Sequence, residues 1–120
     1  MKRNSALSAG QAKVRVLVAD DHPVVRQGIM ANVKPQRDLT VVAEACDGVE
    51  ALKLVKKHLP DVVLLDLRMP HMDGLDVLAE MDKSKLPCKV IIMTTFDSEE
   101  DVQRAMKAGA RGYLLKDSTQ

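Results

Sequence analysis

Apolar residues fall along this chain in two kinds of block, and the kinds alternate from residue 14 onward. VRVLVA at residues 14–19, VVLL at 62–65, VIIM at 90–93 and YLL at 113–115 are short, continuous runs with the β-branched content of buried strands. LTVVAEA at 39–45 is interrupted by polar residues, which suits a strand at a sheet edge. Between these runs the apolar positions return at helical spacing. Val25, Ile29 and Val33 mark one helix, and Ala51, Leu52, Val55 and Leu59 a second. Leu75, Leu78 and Ala79 mark a third, and Val102, Ala105 and Met106 a fourth. Punctuation agrees with this division. Pro23 suits a first helical turn, Pro35 and Pro60 stop helices, Asp47 can cap the second, and Gly109 can end the fourth. Ser98 with Asp101 resembles a capping box for the fourth helix. Strands alternating with helices predict a parallel sheet wrapped by helices.

That architecture makes the strand ends the place to look for chemistry, because open α/β sheets bind ligands in the crevice outside the carboxyl ends of their strands. Asp20 and Asp21 follow the first run. Asp66 closes the third, inside DVVLLDLRMPHMDG, and Thr94 and Lys116 follow the last two. In adjacent parallel strands these residues would bring three carboxylates, a hydroxyl and an ammonium to one edge. Such a set offers oxygen ligands to a hard cation such as magnesium and a point charge to phosphate oxygens.

Composition narrows the possibilities. The 120 residues make one domain, and 18 basic against 17 acidic residues, evenly mixed, give no general attraction to nucleic acid or membrane. Cys46 and Cys88 have neither metal-site spacing nor a histidine neighbour, and read as reduced cysteines of a cytosolic protein. Residues 1–12 read as a disordered leader, and no apolar run is long enough to cross a bilayer. His22, His58 and His71 are scattered and read as surface residues, with His22 and His71 near the predicted site. Met69 and Met72 read as packing.

In combination, VADDHPVVRQG, LLDLRMPHMDG, Thr94 and GARGYLLKD resemble the receiver domain of two-component response regulators over about residues 14–116. VADDHPVVRQG and GYLLKD further resemble the LuxR/FixJ-type subgroup, whose receivers precede a helix-turn-helix output domain. The resemblance implies a flavodoxin-like α/β fold with five parallel strands in the order 2-1-3-4-5, here spanning residues 13–120. It implies that Asp66 accepts a phosphoryl group from a sensor histidine kinase or phosphotransfer protein. Mg2+ would be held by Asp21, Asp66 and the backbone carbonyl of Arg68, with Asp20 acting largely through water. Lys116 and Thr94 would contact phosphate oxygens, and Tyr113 would rotate inward as Thr94 is drawn toward the new group. Arg68 and Phe96 would influence phosphate lifetime. The domain would signal without being an enzyme, beyond slow autodephosphorylation.

The family's fifth helix has no counterpart after the last strand. The expectation is a regulator truncated before that helix, or a chain whose exposed face is covered by dimerisation or exchange of elements. DNA would be reached only through an output domain outside these residues. Asp117 stands where many receivers have proline, often after a cis bond, so a cis peptide cannot be assumed. Other readings are an interaction module that works without phosphorylation, a magnesium-dependent aspartyl-phosphate hydrolase and a flavodoxin-like FMN binder. A hydrolase of the haloacid dehalogenase type wants an acid where Arg68 stands, and Asp20 and Asp21 would repel a flavin phosphate.

Overall fold

The computed structural model describes residues 13–94 and 99–116. Five strands, β1 (Val14–Ala19), β2 (Leu39–Ala45), β3 (Val62–Asp66), β4 (Lys89–Thr94) and β5 (Gly112–Leu115), pair in parallel in the order β2-β1-β3-β4-β5. The helices α1 (Pro23–Val33), α2 (Gly48–His58), α3 (Gly74–Lys83) and α4 (Glu99–Lys107) connect them. The expected flavodoxin-like order is therefore the observed one. The chain steps outward from β1 to β2 and then returns to the other side of β1 for β3, so the order reverses between β1 and β3. Asp20 and Asp66 stand on either side of that reversal, where such sheets open their ligand crevice.

The continuous apolar runs are the inner strands. Leu17, Leu65 and Ile92 lie on β1, β3 and β4 with no exposed surface, and Leu65 pairs in register with Ile92. Each such side chain contributes about 1.5–3 kcal/mol by leaving water. Ala51 and Val55 of α2 and Val77, Leu78 and Met81 of α3 join the same core. The polar-interrupted run is β2, at the edge as its pattern predicts, with only Ala45 fully buried. Its register against β1 shifts between Val16 and Leu17, whose partners are Val41 and Ala43, so Val42 is an extra, unpaired residue.

Several inward assignments change. Leu59 is not on the buried face of α2: it is the C-cap, left-handed at φ 47°, and this reversal takes it off the helical period and leaves it exposed. Ala79 is exposed, while Val77 and Met81 are buried, because the buried stripe of α3 runs along Gly74, Val77, Leu78 and Met81. Met106 is also exposed, and Ala105 is the fully buried residue of α4. Val25, Ile29 and Val33 face inward but are only half-buried, and α1 has no fully buried residue. A groove of about 340 Å³ runs between α1 and β5, beside Ile29, Met93 and Leu114. This is the surface expected to lack the cover of a fifth helix. No helix among the described residues is long and apolar enough to cross a membrane. The leader and Ser98 lie outside the described residues.

Candidate functional site at the carboxyl edge of the sheet

Asp20 directly follows β1 and is wholly buried, with its backbone N–H donating to the Ala45 carbonyl at 3.0 Å. Its Oδ1 accepts from the His22 backbone N–H at 2.8 Å, and the His22 Nδ1 lies 3.0 Å away. Asp66 ends β3 with 2% of its surface exposed, and its Oδ1 accepts from the Arg68 backbone N–H at 3.2 Å. Lys116, just beyond β5, reaches both carboxylates. Its Nζ stands 3.2 Å from Asp20 Oδ2 and donates to Asp66 Oδ2 at 3.3 Å. Asp21 is partly exposed and touches the same His22 ring at 3.1 Å. Thr94 is buried at the end of β4, one residue beyond the Met93 that pairs with Asp66.

Two carboxylates share one ammonium in this crevice, with the Asp21 carboxylate beside them, so the anions are under-compensated. The titration directions follow. Burial, and then the neighbouring Asp20 carboxylate, push Asp66 above its ordinary value, against the pull of Lys116. Burial alone would lower Lys116, but Asp66 and Asp20 outweigh it and raise the ammonium's pKa. Asp20 Oδ2 has only the Lys116 ammonium that Asp66 also draws on, and Asp21 Oδ1 only the His22 ring. One oxygen each from Asp20, Asp21 and Asp66, with a His22 ring nitrogen, lie within 4.8 Å of one another. Carboxylate oxygens at this spacing, with one ammonium between two of them, fit a small divalent cation.

The loop after β3 is fixed from several sides. Asp73 caps α3 by accepting from the Asp76 N–H at 3.0 Å, and the Gly74 N–H donates to the Leu67 carbonyl at 2.9 Å. His71 approaches Asp47 Oδ2 at 3.0 Å, while Asp47 Oδ1 caps α2 through the Glu50 N–H at 2.8 Å. That backbone donor, followed by His71, holds Asp47 below the usual carboxylate range. A Cβ added at Gly74 would lie 2.6 Å from the Asp66 carbonyl oxygen and 2.8 Å from the Leu67 Cα. Gly74→Ala should therefore lower unfolding free energy by about 1–3 kcal/mol and displace the Asp66 backbone. Urea melts and amide shifts at residues 65–68 would measure both.

The structure brings Asp20, Asp21, Asp66 and Lys116 together and puts Thr94 at the same edge. Tyr113 is half-exposed on β5, facing out. The Arg68 side chain is exposed and pairs with Asp101 of α4 at 2.6 Å. Phe96 lies outside the described residues. His22, expected near the site, has its ring on two site carboxylates, and one residue was missed: Arg26, which donates to the Asp20 carbonyl at 2.6 Å. For Arg26 the available signal was its place four residues beyond the N-cap, from which a long side chain can reach back to the end of β1.

Comparison with known proteins agrees with this arrangement. Residues 16–120 match the response regulator receiver domain. The chain is 49% identical over 107 residues to the "Probable transcriptional regulatory protein NarL" of Mycobacterium tuberculosis, covering 89% of this chain and 50% of that protein. It is 39% identical over 109 residues to the nitrate/nitrite response regulator protein NarL of Escherichia coli, covering 91% and 50%. The chain thus spans about half the length of these curated relatives. The solved signal receiver domain of the Mycobacterium tuberculosis NarL superposes with a TM-score of 0.84 at 47% identity, covering 88% of this chain and 86% of that one. The fold, the acidic cluster at its carboxyl edge and these likenesses together show that the chain belongs to the response regulator receiver domain family.

Proposed function

We propose that Asp66 accepts a phosphoryl group from a sensor histidine kinase or phosphotransfer protein, and that the resulting change controls an output. The observation that carries this reading is the buried Asp66 carboxylate, sharing one Lys116 ammonium with the buried Asp20 carboxylate and lying beside a third carboxylate, Asp21. An ionised Asp66 needs no general base. One of its oxygens attacks phosphorus, and the bond from phosphorus to the donor's leaving atom breaks. Burial that raises its pKa also makes that oxygen a more basic nucleophile. Asp21, Asp66, the Arg68 carbonyl and, through water, Asp20 would hold Mg2+, which would supply neutralising charge for the phosphoryl oxygens.

Lys116 already stands at the Asp66 oxygen and moves its charge onto a phosphoryl oxygen, while Thr94 donates its hydroxyl to another. The new group brings about 1.5–2 negative charges into the crevice. Drawing Thr94 in leaves room for the outward Tyr113 to turn inward, which alters the α4–β5 surface by shifting a pre-existing equilibrium. Arg68 pairs with Asp101, and no second acid stands at its position to activate water, so we assign a signalling role in preference to a hydrolase. Arg68 and Phe96 tune phosphate lifetime. The output is transcription, through a DNA-binding domain of a longer cytoplasmic regulator. A segment following residue 120 in that regulator, or a second copy of the chain, would seat in the α1–β5 groove.

Intact-mass measurement after incubation with magnesium and a small phosphodonor tests the proposal. One added phosphoryl group, dependent on magnesium, is expected. A chain that acquires none under these conditions would favour an interaction module working without phosphorylation.

A further inference from the structure

We propose that His22 is a nitrogen donor to the cation site, and that it tilts the site toward late divalent transition ions beyond what its carboxylates provide. The inference rests on the reading of the acidic cluster as a cation site. His22 occupies the N-cap of α1, where a short Ser, Thr, Asp or Asn would cap the free N–H groups, yet its side chain makes no capping bond. The ring turns the other way. Its Nδ1 lies 3.0 Å from Asp20 Oδ1 and 3.1 Å from Asp21 Oδ1, and its backbone N–H is itself anchored on Asp20. The anchor leaves only the two side-chain torsions to aim the ring.

The charge balance points the same way, since Asp20 is wholly buried and its Oδ2 has only the Lys116 ammonium, 3.2 Å away and shared with Asp66. Candidate donors of Asp21, His22 and Asp66, with Asp20 beside them to act through water, lie within 4.8 Å of one another. Opposite ligands of a cation bound at about 2.1 Å stand about 4.2 Å apart, so a movement of a few tenths of an ångström closes the set. The imidazole is 59% exposed, so solvent can satisfy an Nε2–H and leave the Nδ1 lone pair to the ion. Mg2+ gains little from such a donor, because it favours oxygen and keeps its waters. Ni2+ and Mn2+ accept imidazole readily, Ni2+ the more strongly. Carboxylates alone already favour Ni2+ over Mg2+. The contribution of His22 is therefore the part of that preference that disappears with the ring.

Calorimetric titration of the chain with MgCl2, MnCl2 or NiCl2 separately, in wild type, His22→Gln and His22→Asn, tests this. His22→Asn installs a favourable N-cap, so weakened binding there cannot be put down to a lost helix. Both variants should weaken Ni2+ binding by about tenfold or more and Mg2+ binding by less than about threefold. Pulsed electron paramagnetic resonance of the Mn2+-loaded wild type should show a nitrogen coupling that both variants lack. Equal losses for Ni2+ and Mg2+, or a coupling that survives in the variants, would overturn the assignment. Phosphoryl uptake on Asp66 separates the two readings. Uptake with Mg2+ in a chain whose Ni2+ affinity ignores His22 keeps the phosphoacceptor reading and sinks this one. A His22-dependent nitrogen coupling in a chain that never takes up phosphate does the reverse.

Discussion

The Asp66→Asn chain should take up no phosphoryl group from a small phosphodonor, and it should melt at a higher temperature than wild type in metal-free buffer. The first effect follows from the lost nucleophile: an amide oxygen carries no charge with which to attack phosphorus. A phosphoryl group found on the variant would displace Asp66 from its assigned role. The second effect follows from linkage. Burial and Asp20 raise the folded-state pKa of Asp66 above 3.8, so in the interval between the two values the native chain holds a proton that the unfolded chain has released. Stability therefore falls as pH rises through that interval. The cost is complete above the folded-state pKa and absent below the unfolded one. The neutral isostere escapes it, so its advantage should grow as pH rises through that interval and vanish as pH approaches about 4. Paired thermal melts in a chelator across this range would show it, and a lower melting temperature for the variant at neutral pH would contradict the balance of charges described.

Lys116→Met should act in the opposite direction, lowering unfolding free energy by about 3 kcal/mol at neutral pH without metal. The buried Asp20 and Asp66 carboxylates would then face each other with no ammonium between them. The low end of the range for a broken buried ion pair is appropriate, because the Lys116 side chain is 16% exposed and water can enter where it stood. The double variant Lys116→Met/Asp20→Asn should recover more than half of the loss, since it removes the repulsion together with its compensation. Urea unfolding of the four chains in the cycle measures the coupling directly. A single variant within about 0.5 kcal/mol of wild type would mean that water already screens the pair. Phosphoryl uptake by the Lys116→Met chain should also slow, since the ammonium that meets the incoming oxygens is gone.

The inner strands were legible because a strand covered on both faces needs no alternation, and VVLLD and VIIM read as unbroken apolar runs ending in polar groups. β2 was legible for the complementary reason, since polar residues persist where one side of a strand meets solvent. Helix faces were less so. Leu59 follows the period of α2, but the left-handed turn before Pro60 sets its direction, and periodicity cannot report the residue at which a helix gives out. Asp20, Asp21, Asp66, Thr94 and Lys116 could be placed at one edge because each ends or follows a strand. The sharing of Lys116 by two carboxylates could not be read, because it depends on the pairing order of strands distant in sequence. His22 was hidden differently: nothing in an N-cap position announces that its side chain will turn away from the helix.

The unpaired Val42 carries a consequence for how copies of this chain meet one another. An open sheet ends in two rows of free N–H and C=O groups, and each can template a strand from another molecule. On the β2 side the extra residue bends the row and breaks its spacing, so an incoming strand would find donors and acceptors out of step after a few residues. On the other side, β5 is a strand of only four residues among the described residues. The sheet stays open without presenting a long, regular border on which fibrillar growth could begin, and one surplus valine supplies much of that protection.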